Sequence, residues 1–169
     1  IVVTGADRVD ELAAMPWVRS AGAHVLAGGE RRQDSVAAGV RASGAEVVLV
    51  HDGARPFVSP ALVEAIADAA RDAGAAIPVL AMADSLKRIE ADRIVGVASR
   101  DGIGRAQTPQ GARRELLQAA VDAHADGPEV FGDEAELLAR IGVPVRAVPG
   151  EASNLKVTHP DDVALARSI

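Results

Sequence analysis

Apolar and polar positions alternate along this chain in blocks rather than residue by residue. Ile1 to Thr4, His24 to Ala27, Val47 to Val50, Ala75 to Leu80 and Val145 to Val148 are short, nearly unbroken apolar runs. Runs of that length predict strands covered on both faces. Between them apolar residues recur at helical spacing: Val9, Leu12 and Ala13; Val36 and Val40 within a helix over about 32–42; Leu62, Val63 and Ile66 within a helix ending near Gly74; a helix over 113–124; and Leu137, Leu138 and Ile141 after Asp133. Asp7 reads as a cap, and Ser59-Pro60 and Thr108-Pro109 as caps with first-turn prolines, while Gly44 and Gly142 read as stops. A last helix starts at Pro160, with Asp161 and Asp162 at its positive end. Strands alternating with helices predict an α/β fold, a doubly wound and mostly parallel sheet with right-handed crossovers. With no internal repeat or linker, residues 1–169 read as one domain.

One stretch breaks this rhythm. From Ser85 to Val97, SLKRIEADRIVGV gives two short strands around a polar turn at Glu90-Ala91-Asp92. Its apolar residues are too few to bury both faces, and an isolated hairpin is only marginally stable. The region 85–103 therefore reads as a protruding β-arm that leans on a partner surface, the alternative being a hairpin packed on its own domain.

Composition narrows the function. At 169 residues with 49% hydrophobic and 25% charged residues, the chain is globular in character and large enough for one sizeable core. No apolar run approaches the roughly 20 residues of a membrane helix. The net charge of −6 argues against binding nucleic acid through a broad basic face. The absence of cysteine excludes disulfides, thiolate catalysis and Cys-ligated zinc, and fits the cytoplasm. His24, His51, His124 and His159 are too scattered to pair on one helical face as metal ligands. The basic residues are sixteen arginines and two lysines, Lys87 and Lys156. A lysine brings a compact ammonium where arginine brings a planar fork, and at a phosphate the two are not equivalent.

The chemistry concentrates at Glu46 to Phe57, EVVLVHDGARPF. The aliphatic strand gives way to His51, Asp52, Gly53 and Arg55, and Pro56 helps stop the ladder. Open α/β sheets bind ligands at the carboxyl ends of their strands, so this polar corner is the leading site candidate. A dinucleotide-dependent oxidoreductase is disfavoured because the GxGxxG fingerprint is missing from the sequence.

HDGARPF resembles the HDAARP signature of the 2-C-methyl-D-erythritol 4-phosphate cytidylyltransferases. GGERRQDSV (28–36) precedes it, and RAQTPQG (105–111), GDEA (132–135) and NLKVTHPDDVALA (154–166) follow. Each motif alone is weak; five in series, over nearly the whole chain, are specific. The resemblance implies a Rossmann-like nucleotidyltransferase fold joining CTP to methylerythritol phosphate, a homodimer through the arm, and Mg²⁺ as cofactor. It places Gly29, Ser35, Asp52 and Gly53 at the cytidine nucleotide. Ser85, Arg100 and Thr108 fall at the methylerythritol phosphate, and Lys156 beside the reacting phosphates. Asp52 is the carboxylate best placed to meet the metal, and Asp52 and Lys156 are the catalytic candidates. Taken without the family, Gly29 is a turn glycine, Ser35 a helix-surface serine, Thr108 a cap, and Arg100 and Lys156 solvated charges.

Three departures from the family pattern stand out. The PAAGxGxR…PK segment with which relatives begin, together with the first strand of their sheet, does not precede Ile1 in the sequence, so the domain reads as N-terminally incomplete. Gly53 stands for the more frequent Ala, and Gly132 where many relatives carry Thr. Two other readings stay open: a cytidylyltransferase for ribitol 5-phosphate or another polyol phosphate, and a noncatalytic domain without the phosphate loop.

Overall fold

The structure is a computed structural model that describes residues 1–168. Strand β1 (Val2–Thr4) leads through a short 3₁₀ turn and helices α1 (Val9–Ala14) and α2 (Pro16–Ser20) to β2 (Val25–Ala27). Helix α3 (Arg32–Ala42), β3 (Val47–Val50), α4 (Pro60–Ala73) and β4 (Ala75–Ala81) follow. The arm comprises β5 (Leu86–Glu90) and β6 (Arg93–Ala98). The chain then returns through β7 (Gly104–Ala106), β8 (Gln110–Arg113), α5 (Arg114–Ala123), α6 (Glu134–Arg140), β9 (Arg146–Pro149) and α7 (Pro160–Ala166).

The expected α/β class and projecting arm are present, with helices on both faces of the main sheet. Val36, Val40, Leu117, Val121, Leu137 and Leu138 from α3, α5 and α6 pack on one face with Ala75, Ala112, Val48 and Val50. Ala69 and Ala70 of α4 pack on the other with Ala76, Val47 and Val148. Adjacent strand residues thus point to opposite layers and both layers are apolar. That is why β3 reads as a continuous aliphatic run rather than an alternating one. Ser59 caps α4, its Oγ accepting from Leu62 N at 3.0 Å, and Gly74 ends the helix at φ 93°.

Strand directions are more mixed than the sequence pattern implies. β4 pairs with β9 in parallel, and β1 with β2, but β8 lies antiparallel between β3 and β4, and β7 is antiparallel to β4. Ala76 pairs with both Gly111 and Arg146, and Val79 with both Ala106 and Pro149, so β7 and β8 share one edge of β4 and β9 takes the other. Thr108-Pro109 therefore does not cap a helix: β8 intervenes before α5, because Gln110, Gly111 and Ala112 are buried between two strands. Nor does Asp7 cap a helix through its side chain. Met15-Pro16 does interrupt α1, and Pro16 opens α2 as a first-turn proline.

β8 reaches this slot because Gly111 has no side chain. A Cβ there would lie 2.6 Å from Leu49 Cδ2 and 2.9 Å from Ile66 Cγ2, both in packed surroundings. Gly111→Ala is expected to lower unfolding free energy by about 1–3 kcal/mol in a urea titration, with the slope of the transition unchanged.

The β1–β2 pair forms no ladder with the main sheet among the described residues. Among the described residues, β1 and β3 each have one unpaired edge, and α3 packs against both strand groups.

Candidate functional site

A cleft of about 460 Å³ lies between β1 and β3 over α3, lined by Val3, Val36, Val40 and all four residues of β3. Its polar end is built by Arg32, Ser35, His51, Asp52 and Gly53. These side chains come from the first turns of α3 and from the loop leaving β3. The strand-end position expected from sequence is therefore where the charge collects.

The β3 loop is fixed from several sides. His51 Nε2 lies 2.9 Å from the Arg55 carbonyl, and its Nδ1 lies 3.0 Å from Thr108 Oγ1. Asp52 N donates to that same hydroxyl at 3.0 Å. Arg55 Nη1 donates to the Asn154 carbonyl at 2.7 Å, and Val157 N donates to the Ala54 carbonyl at 2.8 Å, so the segment 154–157 lies along the loop. Asn154 is fully buried and donates to the Thr108 carbonyl at 2.8 Å. Gln107 donates to both Glu151 and Asn154 carbonyls at 2.8 and 3.1 Å. Gln107 and Asn154 thus join the β7–β8 connection to the Lys156 segment.

The consequence is a line of alternating charge. Lys156 Nζ lies 2.9 Å from Asp52 Oδ2, and Arg32 Nη2 lies 3.9 Å from Asp52 Oδ1. On its far side Arg32 meets Glu134, with Nη1 and Nη2 at 2.6 and 2.9 Å from the two carboxylate oxygens. Partial burial alone would raise the pKa of Asp52. The hydrogen bond and charge of Lys156, with Arg32 and Arg55, outweigh it and hold the carboxyl below its usual value. Burial pushes Glu134 upward, and the Arg32 fork pulls it back. Burial also opposes the charge on Arg32, but its bonds to Glu134 prevail and raise its pKa, and the two-pronged contact has the geometry of a charge-assisted pair.

Because the folded pKa of Asp52 is depressed, its contribution to stability is present above the unfolded value of about 3.9 and lost as pH falls through the folded one. Denaturant titrations from about pH 5 to about pH 2 should show the parent losing more stability than Asp52→Asn.

The structure brings together Ser35, Asp52, Gly53, Thr108 and Lys156, with Gly29 just behind. Gly29 N donates to Ser35 Oγ at 3.2 Å. A Cβ on Gly29 would lie 2.4 Å from Asp34 Cβ, so its missing side chain admits α3. Gly53 has open space where a Cβ would stand, which suits either Gly or Ala. Thr108 is buried, and its hydroxyl is taken up by His51 and Asp52. Ser85 and Arg100 are exposed at the base of the arm: Lys87 Nζ donates to Ser85 Oγ at 2.6 Å, and Arg100 donates to the Ala83 carbonyl. No hydrogen bond or ion pair among the described residues joins either of them to Asp52 or Lys156. Arg32, Glu134, Gln107 and Asn154 escaped the sequence reading, although all four lie within the family-like motifs.

As for metal, the described residues contain no group of three or more His, Asp or Glu side chains placed to hold an ion. The donor set at the cleft is one carboxylate, Asp52, already shared with Lys156. That suits an ion brought in on phosphate oxygens, since Mg²⁺ commonly takes only one or two protein carboxylates and completes its shell with phosphate and water.

An α/β domain with its charge gathered where β3 ends, and a hairpin projecting from the body, has the architecture of a Rossmann-like nucleotidyltransferase. The IspD family, 2-C-methyl-D-erythritol 4-phosphate cytidylyltransferase, matches residues 1–169, and the chain belongs to that family. The 2-C-methyl-D-erythritol 4-phosphate cytidylyltransferase of Deinococcus radiodurans is 47% identical over 148 residues, covering 87% of this chain and 63% of the relative. A bifunctional IspD/IspF enzyme of Anaeromyxobacter is 46% identical over 152 residues, covering 87% of this chain and 39% of that protein. The chain thus spans less than two thirds of the length of these curated relatives. The crystal structure of the Thermus thermophilus cytidylyltransferase superposes with a TM-score of 0.83 at 42% identity, covering 87% of this chain and 72% of that one. No helix among the described residues is long and apolar enough to cross a membrane.

Proposed function

We propose that the protein joins CTP to 2-C-methyl-D-erythritol 4-phosphate, giving CDP-methylerythritol and pyrophosphate, as a cytoplasmic enzyme of isoprenoid precursor synthesis. The observation that carries this reading is the Lys156–Asp52–Arg32 line at the end of β3, in a chain of this family. An oxygen of the acceptor phosphate attacks the α-phosphorus of CTP; that P–O bond forms as the bond to the bridging oxygen breaks, and pyrophosphate leaves. Two anions must meet, so aligned positive charge supplies most of the acceleration and no nucleophilic side chain is needed. Lys156 faces the reacting phosphates, while Gly29, Ser35, Asp52 and Gly53 hold the nucleotide. Asp52 is the protein oxygen that would share Mg²⁺ with the triphosphate; the ion, when bound, neutralises phosphate charge.

Two further parts complete the reading. The unpaired edges of β1 and β3 border the cleft and would admit a further strand between them, beside Asp52 and Ser35. Ser85, Arg100 and Thr108 serve the acceptor phosphate, with Ser85 and Arg100 supplied by the arm of a twin subunit. A homodimer through the arm is supported by an exposed apolar face on it: Ile89 stands opposite Ile94 and Val97 opposite Lys87, and Ile89, Ile94 and Val97 are 65%, 67% and 70% exposed. Exposed aliphatic residues clustered on so small an element mark an interaction surface. The paired replacements Ile94→Asp and Val97→Asp should convert a dimer to monomer in sedimentation velocity; an unchanged sedimentation coefficient would refute the arm as the interface.

The test of the activity uses the product of the complete gene with CTP, Mg²⁺ and either methylerythritol phosphate or ribitol 5-phosphate. Pyrophosphate release with the first acceptor and not the second is expected. Release with ribitol phosphate alone moves the assignment to the other polyol, and no release with either supports a noncatalytic domain.

A further inference from the structure

Glu134 is the one charged residue in the buried set among the described residues, with a side chain only 3% exposed. Ion pairs of this kind seldom justify themselves by stability, since an apolar pair of similar volume often does as well or better. What the pair does supply is orientation. Glu134 begins α6, and that end is locked to β8: Gln110 Oε1 accepts from Ala135 N at 3.0 Å, and Gln110 Nε2 donates to Asp133 Oδ2 at 3.1 Å. Its partner Arg32 begins α3 and is anchored beside Arg31, which donates to Asp34 and to the Ala125 and Gly127 carbonyls. Two fixed helix ends thus hold the Arg32 fork end-on, at the lip of the cleft that also holds Ser35 and Asp52.

Without the Glu134 charge, the nearest anion to Arg32 is Asp52, at 3.9 Å. A released guanidinium would close on Asp52 and compete with Lys156, now 2.9 Å from the same carboxylate. We infer that Glu134 is a positioning residue for nucleotide binding, holding Arg32 at the cleft lip and leaving Asp52 to Lys156 and the incoming nucleotide. The inference rests on the CTP reading above and adds to it a residue that would touch neither substrate.

The test measures CTP dissociation by calorimetry with Mg²⁺, together with steady-state kinetics, on the complete gene product. Glu134→Gln should weaken CTP binding and raise its KM by about tenfold, leaving the KM of the acceptor phosphate unchanged. In an Arg32→Gln background the same change should have no further effect. Glu134→Asp, which keeps the buried charge but cannot reach both nitrogens, should weaken CTP similarly and carries the test if the glutamine variant does not fold. Unchanged CTP affinity with only a lower melting temperature would make Glu134 merely structural and overturn the inference. So would an undiminished Glu134→Gln effect in the Arg32→Gln background. If the parent neither binds nor uses CTP, the functional reading and this inference fall together; an active parent with an indifferent Glu134 removes the inference alone.

Discussion

Replacing Lys156 with methionine is expected to lower turnover by about 100- to 1000-fold, the usual loss when one preorganised charge facing developing anionic charge is removed. Methionine keeps the length and apolar stem of the side chain and deletes the ammonium. The Val157–Ala54 backbone bond and the buried Asn154 hold the segment in place independently of that ammonium. The melting temperature should therefore move little while kcat falls. Lys156→Arg should not restore the rate, because a fork approaching Asp52 cannot reproduce a point charge. Steady-state kinetics on the complete gene product decide the matter: activity of Lys156→Met within tenfold of the parent would remove Lys156 from the chemistry.

The second large effect is on folding. Arg32→Ala should destabilise the domain by about 3–5 kcal/mol at pH 7, because it strands the Glu134 carboxylate in a nearly dry position. The sign of its pH dependence separates this from ordinary loss of packing. Burial already pushes the Glu134 pKa upward, and removing Arg32 takes away the main influence opposing that shift. A carboxyl whose folded pKa lies above its unfolded one binds its proton more tightly when folded, so folding gains as pH drops through the folded value. The deficit of Arg32→Ala relative to the parent should shrink on acidification and be smallest below the unfolded pKa of about 4.3. Urea titrations at a series of pH values would show it. A deficit constant with pH would mean that Glu134 is not held as a stranded charge.

These two sites show how far the sequence could be read. The corner at His51 to Arg55 was legible because an unbroken aliphatic run ended abruptly in charge, and strand ends are where α/β proteins place ligands. Both ends of α4 were legible because Ser-Pro and Gly act locally, through one hydroxyl and one backbone angle. The strand β8 was not. Gln110-Gly111-Ala112-Arg113 has neither β-branched nor aromatic residues, and its burial is imposed by two strands distant in sequence. Thr108-Pro109 carried the usual signature of a helix start, yet the threonine hydroxyl turns to His51 and Asp52, 56 residues or more away. Arg32 and Glu134 are 102 residues apart, and a glutamate in a first helical turn ordinarily reads as a solvated partner of the helix dipole. Only the folded arrangement shows it facing inward. Glu134 lies within the GDEA motif, where the departure from the family pattern drew notice to Gly132 instead.

Among the described residues, the hairpin β5–β6 pairs with itself and with no other strand. If Ser85 and Arg100 grip the acceptor from there while the body supplies Thr108 and holds the cytidine, most of acceptor recognition sits on an exchangeable module. Grafting a relative's arm in place of residues 85–103 would then shift the preferred alcohol phosphate while nucleobase choice stayed put. Selection could retune one preference without disturbing the other.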